Sequence, residues 1–174
     1  FLTTASEVLS SIQSAFPGAV LDSKVESDRR LWATIDSKKI LDVCKHLTAK
    51  LDFDHYSGSA GVDWIARNEM EVVEIMASHG GHQVVAMLKV KTPRDSPSVP
   101  SLVPLYWNAN WYEREIWEML GINFEGHPGL YPLLLSDPLV GAWPWRKDFK
   151  GYPDYTTGER AVAITTPEGY TEYY

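Results

Sequence analysis

The stretch at residues 69–91, EMEVVEIMASHGGHQVVAMLKVK, decides the fold. Two runs rich in Val, Ile and Met flank a short polar turn, and such runs are typical of paired β-strands. We expect Gly80 and Gly81 to supply the positive φ angles that a tight hairpin turn needs. The stretch therefore predicts the clearest β-hairpin of the chain.

Two amphipathic helices are predicted before the hairpin. Residues 3–16 carry apolar side chains on one helical face, and Thr4 with Glu7 matches a capping box at its start. Residues 37–51 repeat the helical spacing, with Asp36 as the expected N-cap. The single cysteine lies on the apolar face of this second helix, where a free thiol behaves as a small hydrophobic side chain.

Extended segments separate these helices and follow the second one. Residues 19–26 and 29–36 predict two strands joined by a turn at Ser27 and Asp28. Residues 53–65 predict another strand, interrupted at a centre rich in Gly and Ser. The order is helix, two strands, helix and about three strands. We therefore predict an α+β fold with helices packed on one face of a mainly antiparallel sheet.

The composition changes after residue 92. Eight of the 11 prolines lie from Pro100 onward, and five of the seven tryptophans lie between Trp107 and Trp145. Little periodicity follows, so this part cannot easily bury its rings on itself. We predict an α+β domain at 1–121, followed by an extended aromatic- and proline-rich C-terminal segment at 122–174 that lies on its own domain or on another protein.

Charge and cysteine content exclude several classes of protein. The formal net charge is −7, and the absence of a long basic run argues against a duplex nucleic-acid binder. No apolar stretch reaches the 18 residues or so of a membrane-spanning helix. One cysteine cannot hold an iron–sulfur cluster by itself. The start lacks the features of a signal peptide and an initiating Met, so we expect the first residues to be missing or removed.

Residues 108–130, NANWYEREIWEMLGINFEGHPGL, join a charged helix to a Gly-His-Pro corner. Asn110 and Glu113 match a helix start close to a capping box, and Gly121 is a natural residue just past the helix end. The pattern predicts a helix of about residues 111–120. Glu113 then has a structural role without any chemistry.

The other polar side chains of this helix are expected at its surface. Arg114 and Glu118 match an i,i+4 pair that faces away from the apolar arc, and Trp117 is expected to be half-exposed. Glu113 and Glu115 do not form a catalytic pair, because residues two apart on a helix do not face one another. A half-exposed Trp favours a docking surface.

Other residues leave several hypotheses open. His79 and His82 flank the Gly-Gly turn and could chelate a metal, but a polar turn role is favoured. A free-standing hydrolase would use His127 with Glu113 and Asp148, although no nucleophile with a supporting carboxylate is apparent near His127. An independent peptide-binding module would use the C-terminal segment as a lid. Protein docking is favoured, because aromatic side chains and Arg are enriched in interface cores.

Residues 106–135, followed by WPWRKDF at 143–149, resemble the signature of the 30 kDa subunit of respiratory complex I. This family has relatives in archaeal F420H2 dehydrogenases, chloroplast-type complexes and membrane-bound hydrogenases. The matching positions are Trp111 to Glu115, Gly121 to Pro128, Leu133 to Leu135 and Arg146 to Phe149. Two stretches depart from the usual pattern: Tyr131-Pro132 stands in place of two basic residues, and Gly141 to Trp145 stands in place of Gly-His-Pro-Leu. These departures favour an F420H2- or ferredoxin-linked relative.

The resemblance implies a subunit without catalytic, cofactor or metal residues of its own. It implies a place in the hydrophilic arm of a membrane oxidoreductase that passes electrons from NADH, F420H2 or ferredoxin to a quinone or phenazine, coupled to ion translocation. Iron–sulfur clusters and the donor site, with a flavin expected, would lie in neighbouring subunits. The expected location is the cytoplasmic side of the membrane, or the matrix or stromal side in an organelle.

The resemblance also implies partners and the residues that contact them. The partners are the large subunit that forms the acceptor cavity and the small cluster-bearing subunit, with no nucleic acid and no transmembrane segment. The C-terminal segment would dock on these subunits. The residues expected at the partner interface are Trp111, Glu113, Arg114, Glu115, Trp117, Gly126, His127, Pro128, Trp143, Trp145, Arg146, Lys147, Asp148 and Phe149.

Overall fold

The computed structural model describes residues 3–80, 83–136 and 139–151, and the backbone of two short strands beyond them. The helices are α1 (Ala5–Ala15), α2 (Ile40–Leu51) and α3 (Ala109–Leu120). The strands are β1 (Val20–Ser27), β2 (Arg30–Ile35), β3 (His55–Trp64), β4 (Glu69–Ala77), β5 (Val85–Pro93), β6 (Ser98–Pro100), β7 (Asn123–Glu125), β8 (Ala163–Thr165) and β9 (Thr171–Tyr173).

The main sheet has five strands in the order β1-β2-β5-β4-β3, and β4 with β5 forms the predicted hairpin. All its pairs are antiparallel except β2 with β5. The parallel pair is possible because α2, β3 and β4 intervene in the chain, and parallel neighbours need a long crossover. β6 with β7 and β8 with β9 form two small separate pairs. The predicted α+β class with a mainly antiparallel sheet is confirmed.

The three helices bury their apolar side chains in one core on one face of the sheet. Val8 and Ile12 of α1, Leu47 of α2, and Ile116 and Leu120 of α3 belong to the same buried cluster. An alanine at position 61 of β3 would place its Cβ 3.0 Å from a side-chain atom of Ile116, so α3 packs directly on the strand backbone. This placement sets α3 against β3, and the Lys147 amide of the chain that follows it also reaches β3, at Asp63.

The predicted starts of the first two helices are largely confirmed. Thr4 and Glu7 form the capping box, with the Glu7 amide donating to Thr4 Oγ1 at 3.3 Å and the Thr4 amide donating to Glu7 Oε2 at 2.7 Å. Asp36 caps a short 3-10 turn at Ser37–Lys39 that leads into α2, by accepting from the Lys38 amide at 3.0 Å.

Two predicted turns differ from the structure. Ser27 pairs with Arg30, so Asp28 and Arg29 form the turn between β1 and β2, one residue later than expected. Gly80 lies outside the left-handed region, which Gln83 adopts with φ 54°. Gly81 and His82 lie outside the described residues.

β3 is continuous, and the interruption predicted in it takes the form of a bulge. The register with β4 shifts between Tyr56 and Gly58.

Within the described ranges, none of the helices is both long and apolar enough to cross a membrane.

Candidate functional site

The charged helix α3 begins earlier than its sequence pattern predicts. It starts at Ala109, and the side chain of Asn108 donates to the carbonyl of Tyr56 at 2.9 Å instead of capping the helix. Glu113 is fully buried, and its Oε1 accepts from the Leu102 amide at 2.7 Å. The predicted capping roles of Asn110 and Glu113 are therefore wrong. The turn before Ala109 extends the helix backwards, because the Ala109 amide already donates to the carbonyl of residue 106.

Arg114 is buried rather than exposed, with 3% of its surface accessible. Its guanidinium donates to the carbonyl of Tyr131 at 3.0 Å and to that of Pro132 at 2.7 Å. The same group lies 3.7 Å from the centre of the Tyr131 ring and 5.4 Å from that of Trp111. Two carbonyls and two aromatic faces thus solvate a charge that has left water.

Glu118 is the acidic counterpart, and it is 1% exposed. Its carboxylate accepts from the amides of Leu133, Leu134 and Leu135 at 3.0, 2.7 and 3.2 Å. Hydrogen bonds from amides to an ionised carboxylate are among the stronger ones in proteins. The expected surface pair of Arg114 and Glu118 is wrong, because each side chain binds the backbone of the segment 131–135 instead.

The Gly-His-Pro corner turns the chain towards this segment. Gly126 has φ 81°, in the left-handed region that favours glycine. His127 Nδ1 accepts from the Gly129 amide at 2.9 Å, so the neutral ring carries its proton on Nε2. Burial lowers the pKa of His127, and the charge of Arg114 lowers it further. Pro128 is exposed.

The WPWRKDF motif returns to the C-terminal end of α3. The Trp145 amide donates to the carbonyl of Met119 at 3.0 Å, and Arg146 Nε donates to that of Leu120 at 2.7 Å. The Arg146 guanidinium lies 3.9 Å from the centre of the Trp143 ring. Gly121 has φ 77°, and a Cβ there would lie 2.6 Å from Trp143 Cε2. Gly121 therefore both ends α3, as predicted, and leaves room for Trp143.

An ion pair between the buried Asp63 and the half-buried Arg94 fixes the second half of the motif. Arg94 donates from Nε to Asp63 Oδ1 at 2.7 Å and contacts Asp148 at 2.6 Å. The Lys147 amide donates to Asp63 Oδ2 at 2.8 Å. The hydrogen bond from Arg94 is the main cause that lowers the pKa of Asp63. Sequence reasoning missed Asp63 and Arg94, although a carboxylate on the core face of a predicted strand is tolerated there only with a partner.

The predicted interface residues differ in exposure. Glu113 and Arg114 are buried in the chain itself, which removes them from the exposed surface. The half-buried ones are Glu115, Trp117, His127, Arg146 and Phe149. The exposed ones are Trp111, Gly126, Pro128, Trp143, Trp145, Lys147 and Asp148. Trp107, Tyr131 and Leu134 are also exposed, at 71, 57 and 61%, and were not predicted. Contact of these residues with partners stays a prediction.

The residues of the hydrolase hypothesis are not brought together. His127 binds the Gly129 amide, Glu113 binds the Leu102 amide, and Asp148 binds Arg94. His79 packs its ring against His55 with centroids 4.4 Å apart. Among the described residues, no three His, Cys, Asp or Glu side chains form a group that could hold a metal.

The fold and these contacts define a class of α+β chain in which a charged helix holds the chain's own C-terminal motif. Residues 33–155 match the family model of the respiratory-chain NADH dehydrogenase 30 kDa subunit. The chain belongs to that family.

Named relatives align over most of their length. The chain is 46% identical to the C subunit of the F(420)H(2) dehydrogenase of Methanosarcina mazei over 152 residues, covering 87% of this chain and 96% of the relative. It is 36% identical to the C subunit of the NADH-quinone oxidoreductase of Roseiflexus sp. (strain RS-1) over 164 residues, covering 91% and 87%.

Two solved structures are similar in fold. A chain of the membrane-bound sulfane sulfur reductase, described as an archaeal respiratory membrane complex, superposes with a TM-score of 0.69 and 28% identity over 83% of this chain and 84% of that one. A trypsin-resistant fragment of Nqo5 shares the fold, with a TM-score of 0.58 and 24% identity over 72% of this chain and 98% of the fragment.

Proposed function

We propose that this chain is a structural subunit, without a redox centre of its own, of a complex I-like membrane oxidoreductase. The observation that carries the proposal is the 46% identity to a named dehydrogenase subunit across 96% of that relative's length. In support, the one cysteine of the chain is buried in α2. The subunit braces its neighbours, so that redox groups in those chains stay within electron-transfer distance.

The bracing surface consists of the exposed side of α3 and of the two segments that α3 binds, residues 131–135 and 143–149. Arg114 and Glu118 fix the segment 131–135 through its backbone, which leaves the side chains of Tyr131 and Leu134 exposed. Large exposed aromatic side chains on a fixed backbone are typical anchors of protein interfaces. Partner contact then loses little conformational entropy, because the backbone is already ordered.

The partners in this proposal are the large subunit that forms the acceptor cavity and the small cluster-bearing subunit. Iron–sulfur clusters and a flavin-dependent donor site belong to neighbouring chains. The complex transfers electrons to a quinone or phenazine and couples the transfer to ion translocation. The chain lies on the cytoplasmic side of the membrane, or on the matrix or stromal side in an organelle.

F420H2 is the favoured electron donor. The F(420)H(2) dehydrogenase subunit is 46% identical to this chain, whereas the NADH-quinone oxidoreductase subunit is 36% identical. Tyr131 and Pro132, which depart from the usual basic pair, support the same assignment. NADH and ferredoxin are the alternatives that donor assays distinguish.

Affinity purification tests the proposal. The tagged chain, extracted from gently solubilised host membranes, should come in a particle of several hundred kilodaltons that is rich in iron and labile sulfide. Reduction of that particle by F420H2, NADH or ferredoxin then identifies the donor. A lone species of the mass of the chain, free of iron, would contradict the proposed role in a complex.

Single substitutions test the bracing surface. Trp145→Ala, at a side chain 48% exposed, should weaken assembly by about 2 kcal/mol if the ring is an interface anchor. Trp64→Ala is the matched control, since Trp64 is 37% exposed at the end of β3, outside the predicted interface. The yield of intact particle from each variant is the measurement. Equal yields of intact particle from the two variants would show that Trp145 is not an interface anchor.

A further inference from the structure

Two buried carboxyl groups, one on β4 and one on α3, have no cation as a partner among the described residues. Glu74 of β4 is 2% exposed and Glu113 of α3 is 0% exposed. Within the described residues neither forms an ion pair, unlike Asp63, which binds Arg94. An isolated carboxylate that leaves water is strongly destabilised, and such a group tends to keep its proton.

The surroundings of Glu74 are polar but uncharged apart from Glu113. The Tyr56 hydroxyl of β3 donates to Glu74 Oε2 at 2.5 Å. Cys44 of α2 is fully buried, and burial, together with the nearby charge of Glu74, raises the pKa of its thiol. Leu88 of β5 lies directly opposite Glu74 in the sheet and is apolar. Among the described residues, the Tyr56 hydroxyl is therefore the one hydrogen-bond donor to the Glu74 carboxyl.

Glu113 is better prepared to hold the negative charge. Its Oε1 accepts from the Leu102 amide at 2.7 Å, and the Ser101 hydroxyl also favours its ionised form. Its Oε2 is buried without a hydrogen-bond partner. The two acids thus differ, since Glu113 has a backbone donor whereas Glu74 has a tyrosine hydroxyl.

We propose that Glu74 and Glu113 form a buried proton-binding site, in which Glu74 retains a proton at neutral pH and loss of that proton weakens the packing of α3 on the sheet. Glu113 then carries the charge, beside the Leu102 amide. α3 also binds the segment 131–135. Ionisation of the site at alkaline pH should therefore affect the exposed surface of that segment as well. The site concerns this chain alone and does not depend on the proposed subunit function.

The direction of the pKa changes agrees with this geometry. Burial raises the pKa of Glu74 from 4.5 to about 8, and the charge of Glu113 adds to the increase. Burial raises the pKa of Glu113 to about 7. The folded chain therefore binds protons in a range where the unfolded chain has lost them. The contribution of this site to stability is constant below about pH 4.5 and decreases as the pH rises towards 8.

Equilibrium unfolding of the full chain in urea between pH 7 and 8 tests the site. The unfolding constant should rise several-fold across this unit, towards the limit of about tenfold that one retained proton sets. Glu74→Gln, which keeps the shape and stays neutral, should make the constant nearly independent of pH there. Glu115→Gln on the surface side of α3 is the matched control and should keep the rise.

The single cysteine gives a second measurement that works in the native chain. Cys44 lies in the core near Glu74, so a thiol reagent reaches it only when the core opens. The ratio of labelling rates between wild type and Glu74→Gln at one pH cancels the intrinsic reactivity of the thiol. This ratio should increase several-fold from pH 7 to 8.

The outcomes separate the proposal from its rivals. A wild-type unfolding constant that does not change between pH 7 and 8 would show that no proton is retained, whether or not the variants fold. A rise that persists in Glu74→Gln but disappears in Glu113→Gln would place the proton on Glu113 and overturn the assignment. A constant labelling ratio would show that opening of the core around Cys44 does not respond to the site, which would contradict the proposed effect on packing.

Discussion

The two halves of the helical face close the same sheet with different chemistry. The buried residues of α1 and α2, three and four in number, include no charged side chain. Three of the seven buried residues of α3 are charged, namely Glu113, Arg114 and Glu118. The first half is held by area removed from water, whereas the second half is held by hydrogen bonds between buried polar side chains and a distant backbone, with Arg114 donating and Glu118 accepting.

The difference has a consequence for stability. Apolar packing tolerates small rearrangements, because dispersion and the hydrophobic effect are not directional. When a buried charge loses its partner, the fold is destabilised by the full desolvation penalty of that charge, because the remaining group has neither water nor a hydrogen bond. We therefore expect the α3 half to respond sharply to single polar substitutions and the α1–α2 half to respond weakly to a change at a helix cap.

The largest effect is expected at Asp63. Asp63→Ala should lower the free energy of unfolding by about 3 kcal/mol, because it leaves Arg94 and the Lys147 amide without their buried acceptor. Asp148→Ala is the control, since its side chain is 50% exposed and should contribute below about 1 kcal/mol. Urea unfolding of both variants gives the comparison. Equal losses would show that burial of the Asp63 carboxylate is unimportant.

Glu118→Ala should have the next largest effect, about 2 kcal/mol, because three amides of the segment 131–135 lose their acceptor. The segment should also become accessible to chymotrypsin under native conditions. Glu115→Ala, at a half-buried position on the same helix, should leave the cleavage rate unchanged. Resistance of the Glu118 variant to cleavage would mean that side-chain packing alone holds the segment.

Gly121→Ala separates backbone strain from contact with Trp143. The substitution should cost about 2 kcal/mol, from a left-handed alanine and from a Cβ that overlaps the indole ring. Gly18→Ala is matched in φ, at 81°, but its added Cβ has no atom within 4 Å. The difference between the two losses measures the contact with Trp143. No difference would indicate that the ring moves aside freely.

The smallest effect is expected in the first half. Thr4→Ala removes one member of the capping box and should cost about 1 kcal/mol. It should leave chymotrypsin cleavage at 131–135 unchanged, since α1 does not contact that segment through any hydrogen bond of the described residues. Faster cleavage in this variant would show that the two halves of the helical face are coupled rather than independent.

The apolar half was predictable from periodicity. Val8 and Ile12 recur at helical spacing. The pattern of Thr4 and Glu7 marks the start of α1 from the sequence alone. The charged half was not predictable in the same way. Arg114 and Glu118 have the i,i+4 spacing of a solvated pair, and this spacing is the same whether the partner is water, a neighbour or a remote backbone.

The sequence by itself determined the α+β class, the hairpin and the first two helices. These follow from local patterns and from composition, which indicate the side chains of each segment that are buried and those that are exposed to water. Tertiary structure alone decided the parallel β2–β5 pair and the partners of the buried charges. The physical reason is separation along the chain: Glu118 binds amides 15–17 residues away, and Asp63 binds an amide 84 residues away.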